Sequence, residues 1–218
     1  MRNKNSKLFI IGILCILLCG ITIGFAAFSN TLTISSKADV SPNPDNFKVE
    51  FSTDDTDVLE NEVVPIVNGG AIASNAIINN DVDSPTLSNL HISFSEPGQS
   101  VTYQFYMINS GDYDAFLNRV VTSNATNDSS AYKVCTAIDG TNQSAVDEVC
   151  DDIVISITDS LGKSYTQGDF YVDNYKVEKG SSVLVTVTIN YNVSNDYNDG
   201  DFIVRFGDIS FEFNSVDS

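Results

Sequence analysis

Val183-Leu184-Val185-Thr186-Val187-Thr188-Ile189-Asn190-Tyr191-Asn192-Val193 decides the fold of this chain. Val183, Val185, Val187, Ile189, Tyr191 and Val193 lie on one side of an extended backbone. Thr186, Thr188, Asn190 and Asn192 lie on the other. Successive side chains of a strand point to opposite faces, so this period of two reads as a strand with one buried face. The same alternation recurs in Phe47, Val49 and Phe51, in Val101, Tyr103, Phe105 and Met107, and in Ile153, Ile155 and Ile157.

Near the end, Phe202, Val204 and Phe206 alternate on even numbers, then Ile209, Phe211 and Phe213 on odd ones. A change of parity needs one inserted residue, and Gly207-Asp208 is where a β-bulge belongs. Turn signals separate the runs at Pro97-Gly98, Ser110-Gly111-Asp112, Leu161-Gly162-Lys163, Lys179-Gly180-Ser181 and Asp199-Gly200-Asp201. Many short strands with regular turns predict an all-β, antiparallel sandwich of the jelly-roll kind. One short helix is expected between Ala145 and Ile153, where Val146, Val149, Cys150 and Ile153 keep helical spacing.

The front of the chain has a different composition. Arg2, Lys4 and Lys7 precede Leu8 to Phe28, a stretch without any charge. A basic start, an apolar run and small residues at the cut define a secretory leader. Gly24 and Ala26 occupy the −3 and −1 positions, which places cleavage between Ala26 and Ala27. The apolar run is also long enough to span a bilayer as an uncleaved anchor. Membrane contact is therefore expected only through residues 8–28. Both readings put the chain beyond Ala27 outside the cytoplasm. A lipid-modified Cys19 is a third, weaker reading, because Leu18 is large for the position before such a cysteine.

Residues 1–26 are thus read as leader or anchor and residues 27–45 as an N-terminal strand with a Pro-containing linker. Residues 46–218 form the sandwich domain. Within it, Ser52 to Asn80 is acidic and then bland, and is expected to be an exposed excursion with one edge strand near Val63 to Val67. Ser41-Pro42-Asn43-Pro44-Asp45 is extended, since each proline disfavours helix in the residue before it.

The chain carries 11 basic and 29 acidic residues, a net charge of −18. Without the leader, eight basic residues face the same 29 acids and the charge is −21. Such a surface repels phosphate polymers and anionic lipid, so nucleic acid is excluded as a partner. Beyond the leader only Cys135 and Cys150 remain. In an oxidising compartment they are expected to pair, closing a loop worth about 3 kcal/mol in the chain-entropy model. No cofactor is expected. The sole histidine, His91, stands in an alternating strand, and no Cys-x-x-Cys or His-Glu-x-x-His is present. Asp196 to Asp201 fails the calcium-loop pattern because Gly200 occupies a ligand position. No nucleophile, paired carboxylates or phosphate loop is marked out, so the chain reads as non-enzymatic.

Two stretches carry a family resemblance. Gly24-Phe25-Ala26-Ala27-Phe28-Ser29-Asn30-Thr31-Leu32-Thr33-Ile34 resembles the leader end and mature start of TasA- and camelysin-like surface proteins of Gram-positive bacteria. Phe94-Ser95-Glu96-Pro97-Gly98-Gln99-Ser100-Val101-Thr102-Tyr103, continuing to Asn109-Ser110-Gly111-Asp112-Tyr113-Asp114-Ala115-Phe116-Leu117, is similar to that family's turn, strand and turn. The resemblance rests on the turn residues Pro97, Gly98, Asn109, Gly111, Asp114 and Ala115. It implies an extracellular jelly-roll protein of the cell surface or biofilm matrix, processed by a dedicated signal peptidase. It implies self-association or association with other matrix proteins, through a mature N-terminal strand that completes a sheet in the next subunit. Phe28, Leu32 and Ile34 share one face of Ala27 to Ser35 and are the donor-strand candidates. Two alternatives come with it. One is a camelysin-like metalloprotease, for which a single histidine leaves zinc without a normal site. The other is an adhesin-like binding module, with Ser52 to Asn80 and the disulfide arm as contact loops.

Overall fold

A computed structural model describes residues 47–56, 61–80, 84–126, 131–138, 140–166, 170–192 and 200–214. The leader, the cut at Ala26–Ala27, the donor-strand candidates Phe28, Leu32 and Ile34, and most of the Asp196–Asp201 turn lie outside the described residues. The chain opens with five short strands: β1 (Val49–Ser52), β2 (Glu62–Val63), β3 (Ile66–Asn68), β4 (Ile72–Ala73) and β5 (Ala76–Asn79). β6 (Thr86–Ser88) and β7 (His91–Phe94) lead into the long β8 (Ser100–Asn109), followed by β9 (Ala115–Thr122) and β10 (Lys133–Ala137). Helix α1 (Gln143–Cys150) precedes β11 (Ile153–Asp159), β12 (Ser164–Thr166) and β13 (Phe170–Val177). β14 (Ser182–Tyr191), β15 (Phe202–Phe206) and β16 (Ile209–Asn214) close the chain.

All pairings among the described strands are antiparallel, and eight segments nest like the arms of one long hairpin. The first segment, β6 with β7, pairs with the last, β16 with β15. β8 pairs with β14, β9 with β13, and β11 with β12. Rolled up, this nesting yields one layer ordered β8-β14-β11-β12 and another ordered β13-β9-β16-β6. That is the jelly roll expected from the alternation.

The second layer is bent. β15 and β16 are consecutive pieces of one strand, interrupted at Gly207-Asp208, where the buried parity changes from Phe202, Val204 and Phe206 to Ile209 and Phe211. The neighbouring strands divide at the same level, β7 from β6 at Asn89-Leu90, with β9 ending at Thr122 and β10 starting at Lys133. Hydrogen bonds stitch the bend: Ser123 N donates to Asp208 O (2.8 Å), Gly207 N to Tyr132 O (2.8 Å) and Phe206 N to Leu90 O (3.1 Å). Asn89 takes the left-handed backbone there, φ 62°, which a non-glycine residue rarely adopts.

Between the layers lies one apolar core. Phe51 and Phe105 of the first layer meet Phe211 of the second at ring separations of 5.1 and 6.3 Å. Tyr191 meets Phe94 and Phe202 at 5.8 and 5.5 Å. Such aromatic pairs contribute about 0.5–1.5 kcal/mol each beyond the area they bury.

The stretch from Ser52 to Asn80 departs from expectation. From Glu62 to Asn79 its strands pair with the sandwich or with each other. Ile66–Asn68 pairs with Ser100–Thr102 on the first layer, Ile72–Ala73 with Ile92–Ser93 on the second, and Ile77–Asn79 with Thr86–Ser88. The segment therefore runs antiparallel to β6, β7 and β8 around the open side of the sandwich, as one more turn of the roll. The single edge strand expected near Val63 to Val67 is two, β2 and β3, separated by Pro65. Val63, Ala71, Ala76 and Ile78 of this ribbon belong to the core. The expected helix is present one turn earlier, ending at Cys150, and Ile153 starts β11 instead.

Candidate functional site

The ribbon from Val63 to Asn80 contains no charged residue, although it belongs to a chain of charge −18. Its exposed apolar residues are Val64 (70%), Ile66 (58%), Val67 (48%), Ile72 (72%) and Ile77 (40%). These are five of the seven large apolar side chains exposed among the described residues. Ile66 and Val67 lie at the edge of the first layer beside β8, whereas Ile72 and Ile77 lie on the second beside β7 and β6, so the ribbon carries apolar groups on both layers. An edge strand with unpaired N–H and C=O groups is itself a template for another strand, and β3 has no lysine to blunt it.

Buried polar groups hold this ribbon in place. Gln99, 2% exposed, donates from Nε2 to Gly69 O (2.8 Å) and Ser95 Oγ (2.9 Å), and its Oε1 accepts from Ser95 N (2.8 Å). It thus ties the Gly69-Gly70 turn of the ribbon to the Pro97-Gly98 turn. Tyr103 donates its hydroxyl to Ser74 O (2.9 Å), and burial raises its pKa above the usual phenol value. Asn89 Nδ2 donates to Asn75 O (2.8 Å), and Ser74 Oγ to Asn89 O (2.7 Å). The apolar edge is anchored from beneath.

The turn residues singled out in the sequence fall into two places. Pro97 and Gly98 form the turn into β8, with Gly98 at φ 89°. Asn109, Gly111, Asp114 and Ala115 gather at the other end of β8. Asn109 is fully buried, and its Nδ2 donates to Tyr113 O (2.8 Å) and Val177 O (2.9 Å). Its Oδ1 accepts from Gly111 N (3.1 Å), while Gly180 N donates to its carbonyl (2.9 Å). One amide therefore ties two turns and the end of β13. Asp114 accepts from Lys179 N and from Lys176 Nζ, both at 3.0 Å. These bonds, the backbone one foremost, hold its carboxyl below the usual carboxylate range. This end is a structural clasp.

Cys135 and Cys150 form a disulfide, with Cα atoms 5.9 Å apart. Beside it lies a feature the sequence did not reveal. Lys133, 9% exposed, donates to Cys150 O (2.6 Å) and Ile153 O (2.7 Å), satisfying the last carbonyl of α1 and the first of β11. Burial lowers its pKa, partly opposed by Asp151 and Asp152. No signal in the local sequence distinguishes such a lysine from a surface one.

His91 is exposed on β7 and opposite Arg205 of β15. Desolvation and then the Arg205 charge lower its pKa. A neighbouring guanidinium also repels a metal cation. Among the described residues, no three His, Cys, Asp or Glu side chains are grouped to hold a metal. Nor is any helix among them long and apolar enough to cross a membrane.

No family model matches the sequence, and no curated protein matches it. Among solved structures, the chain is similar to a carbohydrate-binding module determined in complex with beta-1,4-galactotriose. The two are 10% identical, 66% of this chain and 89% of that chain are covered, and the TM-score is 0.22. At that score the likeness carries no weight for fold or ligand.

Proposed function

We propose that this protein is a non-enzymatic structural protein of the extracellular surface or matrix, which assembles by adding the N-terminal strand of one copy to the next. The observation that carries the reading is the charge-free edge strand β3, which exposes Ile66 and Val67 beside Val64 and is anchored through Gly69 to Gln99. An edge of that kind suits β-augmentation, in which main-chain hydrogen bonds supply affinity and alternate side chains supply selectivity. The donor is Ala27 to Ser35, equally free of charge, with Phe28, Leu32 and Ile34 on one face. Burying each of those three contributes about 1.5–3 kcal/mol if complete, opposed by the cost of association and ordering. Release by signal peptidase at Ala26–Ala27 frees the strand, so assembly comes after export.

Electron microscopy of the mature chain, with and without Ala27 to Ser35, tests this. Filaments are expected only from the chain that keeps the strand. Leu32→Asp should leave folded monomers with unchanged circular dichroism, and a variant that assembles like the parent overturns the donor role. A monomer that retains cells through the ribbon or the disulfide arm would favour the adhesin-like reading instead. Chelator-sensitive casein cleavage would favour the protease, against which the Arg205 charge beside His91 already argues.

A further inference from the structure

The outer face of the β8-β14-β11 layer carries no acidic or basic side chain at any outward position of those three strands. In a chain with 29 acidic residues this is a marked departure. At the edge of this face, Glu50 of β1 stands opposite Ile108 and pairs with Lys48 (2.8 Å), whereas the opposite layer carries charge on its inner strands too. Its outer face holds the Arg119–Glu212 pair (2.7 Å) and the His91–Arg205 neighbours.

The neutral face is ordered in rows. Thr102 stands opposite Thr188, which stands opposite Ser156. The next row is Gln104, Thr186 and Thr158. The Thr102 and Thr188 hydroxyls lie 3.5 Å apart, as do Gln104 Nε2 and Thr186 Oγ1. Strand spacing therefore repeats hydroxyl and amide groups at about 4.8 Å across the face. Tyr106, opposite Leu184, stands in the third row and supplies a partly exposed ring beside an apolar side chain.

We propose that this face docks an uncharged polysaccharide. Hydroxyl and amide groups both donate and accept, so they match a polyol in either sense. No charge must be stripped of water when a neutral polymer settles there, which removes the largest desolvation cost. A polyanionic glycan is repelled by the net charge of −18. A protein partner is a poorer match, because the centres of protein interfaces are enriched in aromatic residues and arginine, and these rows are mostly threonine, serine and glutamine. The aromatic ring and Leu184 fit the apolar C–H face of a sugar.

The test incubates the exported chain with insoluble cellulose, starch granules and insoluble β-1,3-glucan, with polygalacturonate as the charged comparison. Retention on at least one neutral polymer, and none on polygalacturonate, is expected. The double variant Thr186→Val with Thr188→Val keeps the β-branched shape and removes two hydroxyls. It should bind at least tenfold more weakly with an unchanged thermal melt, as should Gln104→Ala. Ser93→Ala, on the opposite layer, should bind like the parent. Absence of retention on all three neutral polymers overturns the proposal, as does equal retention by the variants. Loss of self-association in the double variant, with retention unchanged, would reassign the face to contacts between copies. Filament formation is scored in parallel, so failure here is distinct from failure of strand donation.

Discussion

Gly207 and Ser123 approach so closely across the bend of the second layer that a β-carbon on Gly207 would overlap the Ser123 carbonyl oxygen. The obstacle is backbone, which has no rotamer to yield. The glycine is therefore required by space and not by a left-handed φ. Gly207→Ala should destabilise by about 3 kcal/mol or more, the upper range for forcing atoms into a packed site. Gly98→Ala is the comparison: φ there is +89° but nothing lies within 4 Å of the added carbon. It should cost only about 1–2 kcal/mol from left-handed strain. Urea denaturation of the two variants checks the order, and equal midpoints would remove the bend from the account of stability.

Asn109 offers a second test of a buried polar junction. Replacement by alanine removes the side-chain donor from Tyr113 O and Val177 O, while Gly111 N loses one acceptor and keeps Lys48 O (3.1 Å). Leaving such groups unpaired should cost roughly 2–4 kcal/mol. Asn109→Asp keeps an acceptor for Gly111 N but loses both donors, so it should not rescue stability at neutral pH. Chemical denaturation at pH 7 decides between a clasp and a replaceable turn residue.

The disulfide should stabilise without being needed for the fold. Cys135→Ser with Cys150→Ser is expected to lose about 3 kcal/mol, the chain-entropy value for a loop of this size. The arm stays attached by other means. Gln143 Nε2 donates to Cys135 O (3.1 Å), its Oε1 accepts from Ala137 N (2.8 Å), and Val146 and Val149 are buried. The double variant should therefore keep its circular dichroism while its urea midpoint falls. Protein cut after Ala26 retains only these two cysteines and should show no alkylatable thiol.

His91 makes pH dependence measurable with one probe, since it is the sole histidine. Its folded pKa lies below the ordinary 6.5, first through desolvation and then through Arg205. As pH falls below 6.5 the unfolded chain takes up the proton first, so this group's contribution to stability declines until the folded midpoint is passed. An imidazole proton titration by NMR should show a midpoint below 6.5, and Arg205→Gln should move it upward. A midpoint unmoved by Arg205→Gln would exclude the charge as a cause.

Residues near in sequence made much of the fold legible. Alternation in Val183 to Tyr191, in Val101 to Met107 and in Ile153 to Ile157 identified the central strands, because burial of one face imposes a period of two on any strand long enough to display it. The parity change at Gly207-Asp208 located the bend. Cys135 and Cys150 were the obvious pair once the leader was set aside. Tertiary structure alone decided the rest. The ribbon from Val63 to Asn80 is built of strands two to four residues long, too short to show a period, and their pairing depends on β7 and β8. Gln99, Asn109 and Lys133 look like surface residues in the sequence, yet each is buried against partners 17 to 68 positions away. The neutral rows on β8, β14 and β11 exist only because strands 86 and 32 residues apart are placed in register. Periodicity is a local consequence of burial and can be read along the chain; the satisfaction of a buried polar group and the composition of a sheet face are properties of residues that meet only after the chain has rolled up.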